Sequence, residues 1–212
     1  MSESRREQIL ATAADLFAAR GFHGVSVAEL GAACGISGPA LYKHFPSKHA
    51  MLAEMLTSIS ERLLEVGRER VAAGGGDPAA ALRGLVDWHV EFALTQRPLI
   101  VVQDRDWESL PEDAREQVRR LQRSYIGLWA DQLRALQPGL DRASSHAAAQ
   151  AAFGLLNSTP RAGHDIPDAA LRELLGSMAL AALGVPSPGG VDQRLGSNGS
   201  VPRTRRRPAI PE

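Results

Sequence analysis

The side chains best suited to chemistry sit close together near the N-terminus. Ser37, Gly38, Pro39, Tyr42, Lys43, His44 and Lys48 fall within one short stretch, and Ser26 lies just before it. Hydroxyl, imidazole and ammonium groups all donate hydrogen bonds, and phosphate oxygens and the exposed edges of bases accept them. Such donors can contact a nucleic acid where the elements carrying them have the right geometry. Lys43 could reach guanine O6 and N7, or only a phosphate, and phosphate contacts are the commoner kind. Ser26 could donate to a phosphate at a helix start or simply cap that helix.

Signals of catalysis are missing elsewhere. The chain has no nucleophile elbow and no histidine pair at metal-binding spacing, and its glycine run Gly74-Gly75-Gly76 lacks the lysine and serine of a phosphate loop. One cysteine, Cys34, permits neither an intrachain disulfide nor a thiolate metal site. It could be a redox sensor, but no positive charge next to it would lower a thiol pKa, so packing is the better reading. No catalytic residue, cofactor or metal is expected, and the chain does not read as an enzyme.

Caps and breakers mark the elements that must hold these residues. Apolar positions Ile9, Leu10, Ala13, Leu16 and Phe17 predict a first helix from Arg5 to Ala19, stopped at Gly21. Ser26 with Glu29 forms a capping box that starts a second helix at Val27, ending near Cys34. Gly35 supplies a left-handed turn, and Ser37 caps a third helix with Pro39 in its first turn. Two short helices joined at Gly35-Ile36-Ser37 have the dimensions of a DNA-reading helix-turn-helix, whose second helix enters the major groove. Leu30, Ile36, Leu41 and Phe45 then form its small core.

Ser47 caps a long fourth helix, and Asp77-Pro78 opens a fifth that runs to about Thr95. A shorter stretch follows around Leu99 to Trp107, then helices from Pro111 to Leu136, Asp141 to Asn157 and Pro167 to Leu183. No strand alternation is visible, so the fold class is all-α with about nine helices. From Val185 the pattern dissolves into Pro, Gly, Ser and Arg, which reads as a disordered tail over 185–212. The solvated Arg203, Arg205, Arg206 and Arg207 in it could add only non-specific attraction to phosphate.

Net charge is zero, with 24 basic and 24 acidic residues, so no global field draws the chain to DNA. If residues 1–48 bind DNA, geometry does the work. Apolar runs are too short to cross a bilayer and no secretory signal opens the chain, which predicts a cytoplasmic protein with no membrane association.

The run from Ser26 to Phe45, with Pro46-Ser47-Lys48 after it and Ala18-Ala19-Arg20-Gly21-Phe22 before it, resembles the TetR-family signature. The likeness covers about 5–63 at motif level. Gly31 and Cys34 depart from it, standing where the family usually has alanine, and Val25 replaces a frequent threonine. By this resemblance Tyr42 and His44 contact the DNA backbone and Lys48 anchors a phosphate. It implies three units: a DNA-binding head over 1–48, a ligand-binding and dimerisation body over 49–184, and the tail.

In the body, Trp88, His89, Phe92, Trp107, Tyr125 and Trp129 combine apolar surfaces with polar tips, as ligand pockets require, although core filling explains such residues equally. Arg115, Arg119, Arg120 and Arg123 form a basic stretch, either a solvated face or a strip for a phosphate-bearing effector such as an acyl-CoA. The eighth and ninth helices resemble the pair through which the family dimerises. Their Ala147, Ala148, Ala151, Ala152, Ala179 and Ala182 suit close packing, and Phe153, Leu155, Leu174, Leu175 and Met178 supply apolar area. The resulting expectation is a homodimeric repressor that grips a palindromic operator and is released by a small-molecule effector. The alternative is a helical ligand-binding or interaction module without specific DNA binding.

Overall fold

The computed structural model describes residues 4–162 and 165–186. The arginines of the C-terminal tail lie outside the described residues. Nine α-helices and no strand occur among the described residues, in the order α1 (Arg5–Arg20), α2 (Val27–Ala33), α3 (Gly38–Leu41), α4 (Lys48–Ala73), α5 (Pro78–Thr95), α6 (Arg97–Asp106), α7 (Glu112–Leu136), α8 (Arg142–Leu156) and α9 (Asp168–Ala182). A 3₁₀ turn, Trp107–Ser109, joins α6 to α7.

Local chemistry accounts for these boundaries. Ser4, Ser26, Ser37, Ser47, Asp77 and Asp141 each accept a hydrogen bond from a first-turn amide, satisfying donors that a helix start leaves unpaired. Gly35 adopts φ 67°, and the Ile36 amide donates back to the Gly31 carbonyl at 2.9 Å, which turns the chain sharply between α2 and α3. α6 begins two residues before Leu99, because Pro98 fits a first turn whose amides need no partner.

Two cores result. In the head, Phe17, Phe22, Leu30, Phe45 and Leu52 are buried together, and the cluster extends through Val102 and Val118 to α6 and α7. In the body, Leu82, Leu85, Val86, Tyr125, Trp129, Leu133, Leu156 and Leu171 pack around α5 and α7. Burying each large apolar side chain of this kind is worth about 1.5–3 kcal/mol. α4 takes part in both cores, with Leu52 and Leu56 in the head and Leu64 in the body. Val185, expected in the tail, is buried in the body core, and the Pro186 carbonyl accepts from Arg83 at 3.2 Å. The ordered body therefore runs past the expected boundary at 185, since an apolar side chain there still has a core to enter.

Candidate DNA interface and effector region

The second and third helices present the polar cluster outward. Tyr42 is 53% exposed and Ser37, Pro39 and Lys43 are exposed around it, while Leu41 and Phe45 point into the core. α3 itself is short, but the chain keeps turning. The Lys43, His44 and Phe45 amides donate to Ala40 and Leu41 carbonyls at 2.9–3.2 Å, so Tyr42, Lys43 and His44 stay rigidly attached to it. Gly38 and Pro39 give the tip of this element a low profile.

Among the head's described cations, Lys43 alone has neither an ion pair nor a hydrogen bond. Arg20 pairs with Glu29 at 2.9 Å. Arg6 grips Glu54 and the His44 carbonyl and lies 4.1 Å from the Phe45 ring centroid, tying α1 to α4 and to the turn that follows α3. Arg5 donates to the Cys34 carbonyl. Cys34 is buried, and burial pushes its thiol pKa up, which fits packing and not redox sensing.

Two expected contacts are placed differently from the rest. Lys48 does not reach outward as a phosphate anchor would. Its ammonium donates to the carbonyls of Phe22 at 2.6 Å and Val25 at 2.7 Å, above the Phe22 ring, and partial burial lowers its pKa. The Ser26 hydroxyl is likewise engaged. It accepts from the Glu29 amide and donates to the Glu29 carboxylate at 2.6 Å, and these bonds with Arg20 hold that carboxyl down at about 2. In this geometry Ser26 is a cap.

The body meets the head at α6. Arg105 donates to the Phe17 and Ala18 carbonyls at the end of α1 and pairs with the buried Asp106 at 3.2 Å. Ser109 and His23 share a hydrogen bond at 3.1 Å. Long-range pairings of this kind leave no spacing signal, and Arg105 and Asp106 were not legible as candidates.

The six aromatic candidates split into three groups. His89, Tyr125 and Trp129 come together with Phe153 in one box, with ring centroids 4.8–6.2 Å apart. Trp88 and Phe92 line an open cleft of about 840 Å³ between α1, α4 and α5, although Phe92 also leans on His89. Trp107 stands apart, packed on the head core under Arg119. Carboxylates outnumber arginines around the cleft, with Glu54, Glu61, Glu65 and Glu91 set against Arg6 and Arg62, so a phosphate-rich ligand fits it poorly.

Within the box, the His89 Nε2–H donates to Asn157 Oδ1 at 3.0 Å, and Nδ1 faces the Tyr125 hydroxyl at 3.4 Å. Burial pulls the His89 pKa down to about 4 and pushes the Tyr125 phenol upward, so both are neutral. Phe153 and Asn157 complete the box from α8 and its cap. From the sequence Phe153 belongs to the expected dimer face and Asn157 has no marked role, because a helix rich in alanine shows no pattern that marks one wall as a pocket.

Of the four arginines in the basic stretch on α7, three are engaged with carboxylates, and Arg123 forms no ion pair among the described residues. Arg115 pairs with Glu108 and Glu112, Arg119 with Glu112, and Arg120 with Glu116. Arg119 and Arg120 behave as a solvated, charge-balanced face, whereas Arg115 is largely buried and also donates to the Glu108 and Leu110 carbonyls. On α8 and α9, Ala152, Leu175 and Ala179 face the chain's own core, whereas Ala147, Ala151 and Ala182 are exposed with Leu174 at 47% and Met178 at 45%.

An outward helix-turn-helix braced against an all-helical body defines a DNA-binding regulator of the two-part kind. A family model for bacterial regulatory proteins of the tetR family matches residues 9–55, and one for the tetracyclin repressor-like C-terminal domain matches 75–161. A TetR-family transcriptional regulator from Bordetella parapertussis 12822 superposes with TM-score 0.73 at 32% identity, covering 88% of this chain and all of that one. The repressor KstR2 of Rhodococcus jostii is 31% identical over 132 residues, 62% of this chain and 64% of that protein. The chain spans less than two thirds of the length of the curated relatives it matches first. AibR, solved with isovaleryl coenzyme A and operator DNA, shares the fold at TM-score 0.63 and 20% identity, over 82% of this chain and 97% of that one. The chain belongs to the TetR family, whose members are transcription regulators and not enzymes. No helix among the described residues is long and apolar enough to cross a membrane.

Proposed function

We propose that this chain is a ligand-responsive transcriptional repressor that binds a palindromic operator as a homodimer and leaves it when a small molecule enters the body. The observation that carries the reading is the outward element Ser37 to His44, with Tyr42 exposed and Lys43 free of any protein partner among the described residues. Lys43 takes a base edge or a phosphate, Tyr42 and His44 contact the DNA backbone, and Ser37, Gly38 and Pro39 allow close approach. Lys48 acts from behind by holding the turn at Phe22–Val25 in shape.

The exposed strip of Leu174, Met178 and the neighbouring alanines supports a pairing of α8 and α9 with a second copy. Such a pair would present two reading elements about 34–36 Å apart, one per successive major groove. Effector binding among α4, α5, α7 and α8 would reach the head along α4 and through the Arg105 contact to α1. The ligands of neighbours of the same fold make an acyl-CoA one candidate effector. Selection from random duplex DNA by the purified protein tests the reading, which expects an inverted repeat, with binding lost in Y42A and K43A. Enrichment of no sequence would favour a helical interaction module instead.

A further inference from the structure

Among the described residues three buried side-chain nitrogens have no partner, Trp88 Nε1, Arg115 Nε and Trp129 Nε1, and Trp129 lies deepest. Trp129 is fully buried, yet its indole N–H makes no hydrogen bond. Buried indoles usually find an acceptor, and an unpaired buried donor costs stability. The nearest polar atoms offer little. The Asn157 oxygen already accepts from His89, and the Tyr125 hydroxyl oxygen, the other acceptor beside the Trp129 indole, does not meet hydrogen-bond geometry with it, while facing His89 Nδ1 at 3.4 Å.

The box thus leaves the Trp129 N–H without a well-aligned acceptor. It holds no charge, because His89 and Tyr125 are both neutral and the remaining walls are Phe92, Trp129 and Phe153. A carboxylate entering it would meet the same neutral donors and no cation, too little to replace its hydration. A carbonyl oxygen gives up far less and accepts from two directions. Room comes from Phe153, which unlike the other rings of the box is half-buried and touches the rings of His89, Tyr125 and Trp129.

We infer that the effector places an uncharged, ring-sized apolar group where the Phe153 ring now lies, and that its carbonyl oxygen accepts from Trp129 Nε1–H, with the Tyr125 hydroxyl turning to it as second donor. The inference rests on the effector-sensing reading above and names the ligand chemistry of that site. A free ketone and an acyl thioester share this carbonyl.

The test uses the full chain labelled with ¹⁵N. Its three indole signals are assigned with W88F and W107F, which leave Trp129 intact. Cyclohexyl phenyl ketone, benzoyl-coenzyme A, phenylcyclohexane and 4-cyclohexylbenzoate are titrated in turn. A downfield move of the Trp129 indole proton is expected with at least one carbonyl probe, which should bind about tenfold more tightly than the hydrocarbon or the carboxylate. A response to the ketone alone or to the thioester alone supports the inference and identifies the source. An unmoved Trp129 signal with both carbonyl probes overturns it, as does equal affinity for the carboxylate. Operator binding measured on the same samples without ligand reports separately on the repressor reading.

Discussion

The Lys48 ammonium sits 2.6 Å from the Phe22 carbonyl oxygen and 4.4 Å from the centre of the Phe22 ring. One cation at the start of α4 thereby fixes the turn between α1 and α2. Replacing it with methionine removes two charge-assisted hydrogen bonds and should destabilise the protein by about 2 kcal/mol. Thermal unfolding at fixed protein concentration should show K48M melting several degrees lower. An unchanged melting temperature with weakened DNA binding would return Lys48 to the phosphate-anchor role.

Lys43 should behave in the opposite way. Because its ammonium has no protein partner among the described residues, K43A should leave thermal stability unchanged while weakening operator binding. The slope of log affinity against log salt should shrink by about 1. Since most other head cations are paired, the wild-type slope itself should be shallow for a regulator of this size.

Gly31 stands where the family usually has alanine, and its surroundings explain the difference. A Cβ there would lie 2.8 Å from the Ile36 carbonyl oxygen and 3.0 Å from the Gly38 amide nitrogen, both backbone atoms of the turn into α3. G31A should cost about 1–3 kcal/mol despite alanine's better helix propensity. Chemical denaturation and operator titration should both register the loss.

Much of the head was legible because its signals are local. Ser26, Ser37 and Ser47 cap the helices they were expected to cap, and Asp77 with Pro78 opens α5. What stayed hidden depends on contacts distant in sequence. Lys48 turned inward because carbonyls from a turn more than twenty residues earlier lie within its reach, and no periodicity reports that. Trp107 and Trp129 looked alike as polar-tipped aromatics, yet one packs on the head core and the other lies at the centre of the body. Helical spacing reveals which face is apolar, but not which of two cores it will join.

His89 should make stability depend on pH. Its folded pKa of about 4 lies below the ordinary 6.5, so the unfolded chain binds the extra proton between these values. Stability should be full above pH 6.5, fall as pH drops towards 4 and level off in this component below that, by roughly 3 kcal/mol in all. H89Q should flatten this part of the profile in urea denaturation. An equal decline in H89Q would assign the effect to other groups.

Exposed Leu174 and Met178 should belong to the dimer contact. The double variant L174E/M178E should sediment as a monomer under conditions where the wild type sediments as a dimer, because paired carboxylates cannot be buried across an apolar interface. The monomer should keep its helical circular dichroism.

The most direct measurement is a footprint of the wild-type protein on duplex DNA selected from a random pool. The account predicts two protected half-sites related by an inverted repeat, centred one helical turn or a multiple of it apart, and vanishing in K43A/Y42A. Protection of a single asymmetric site, or protection that survives the double substitution, would contradict it.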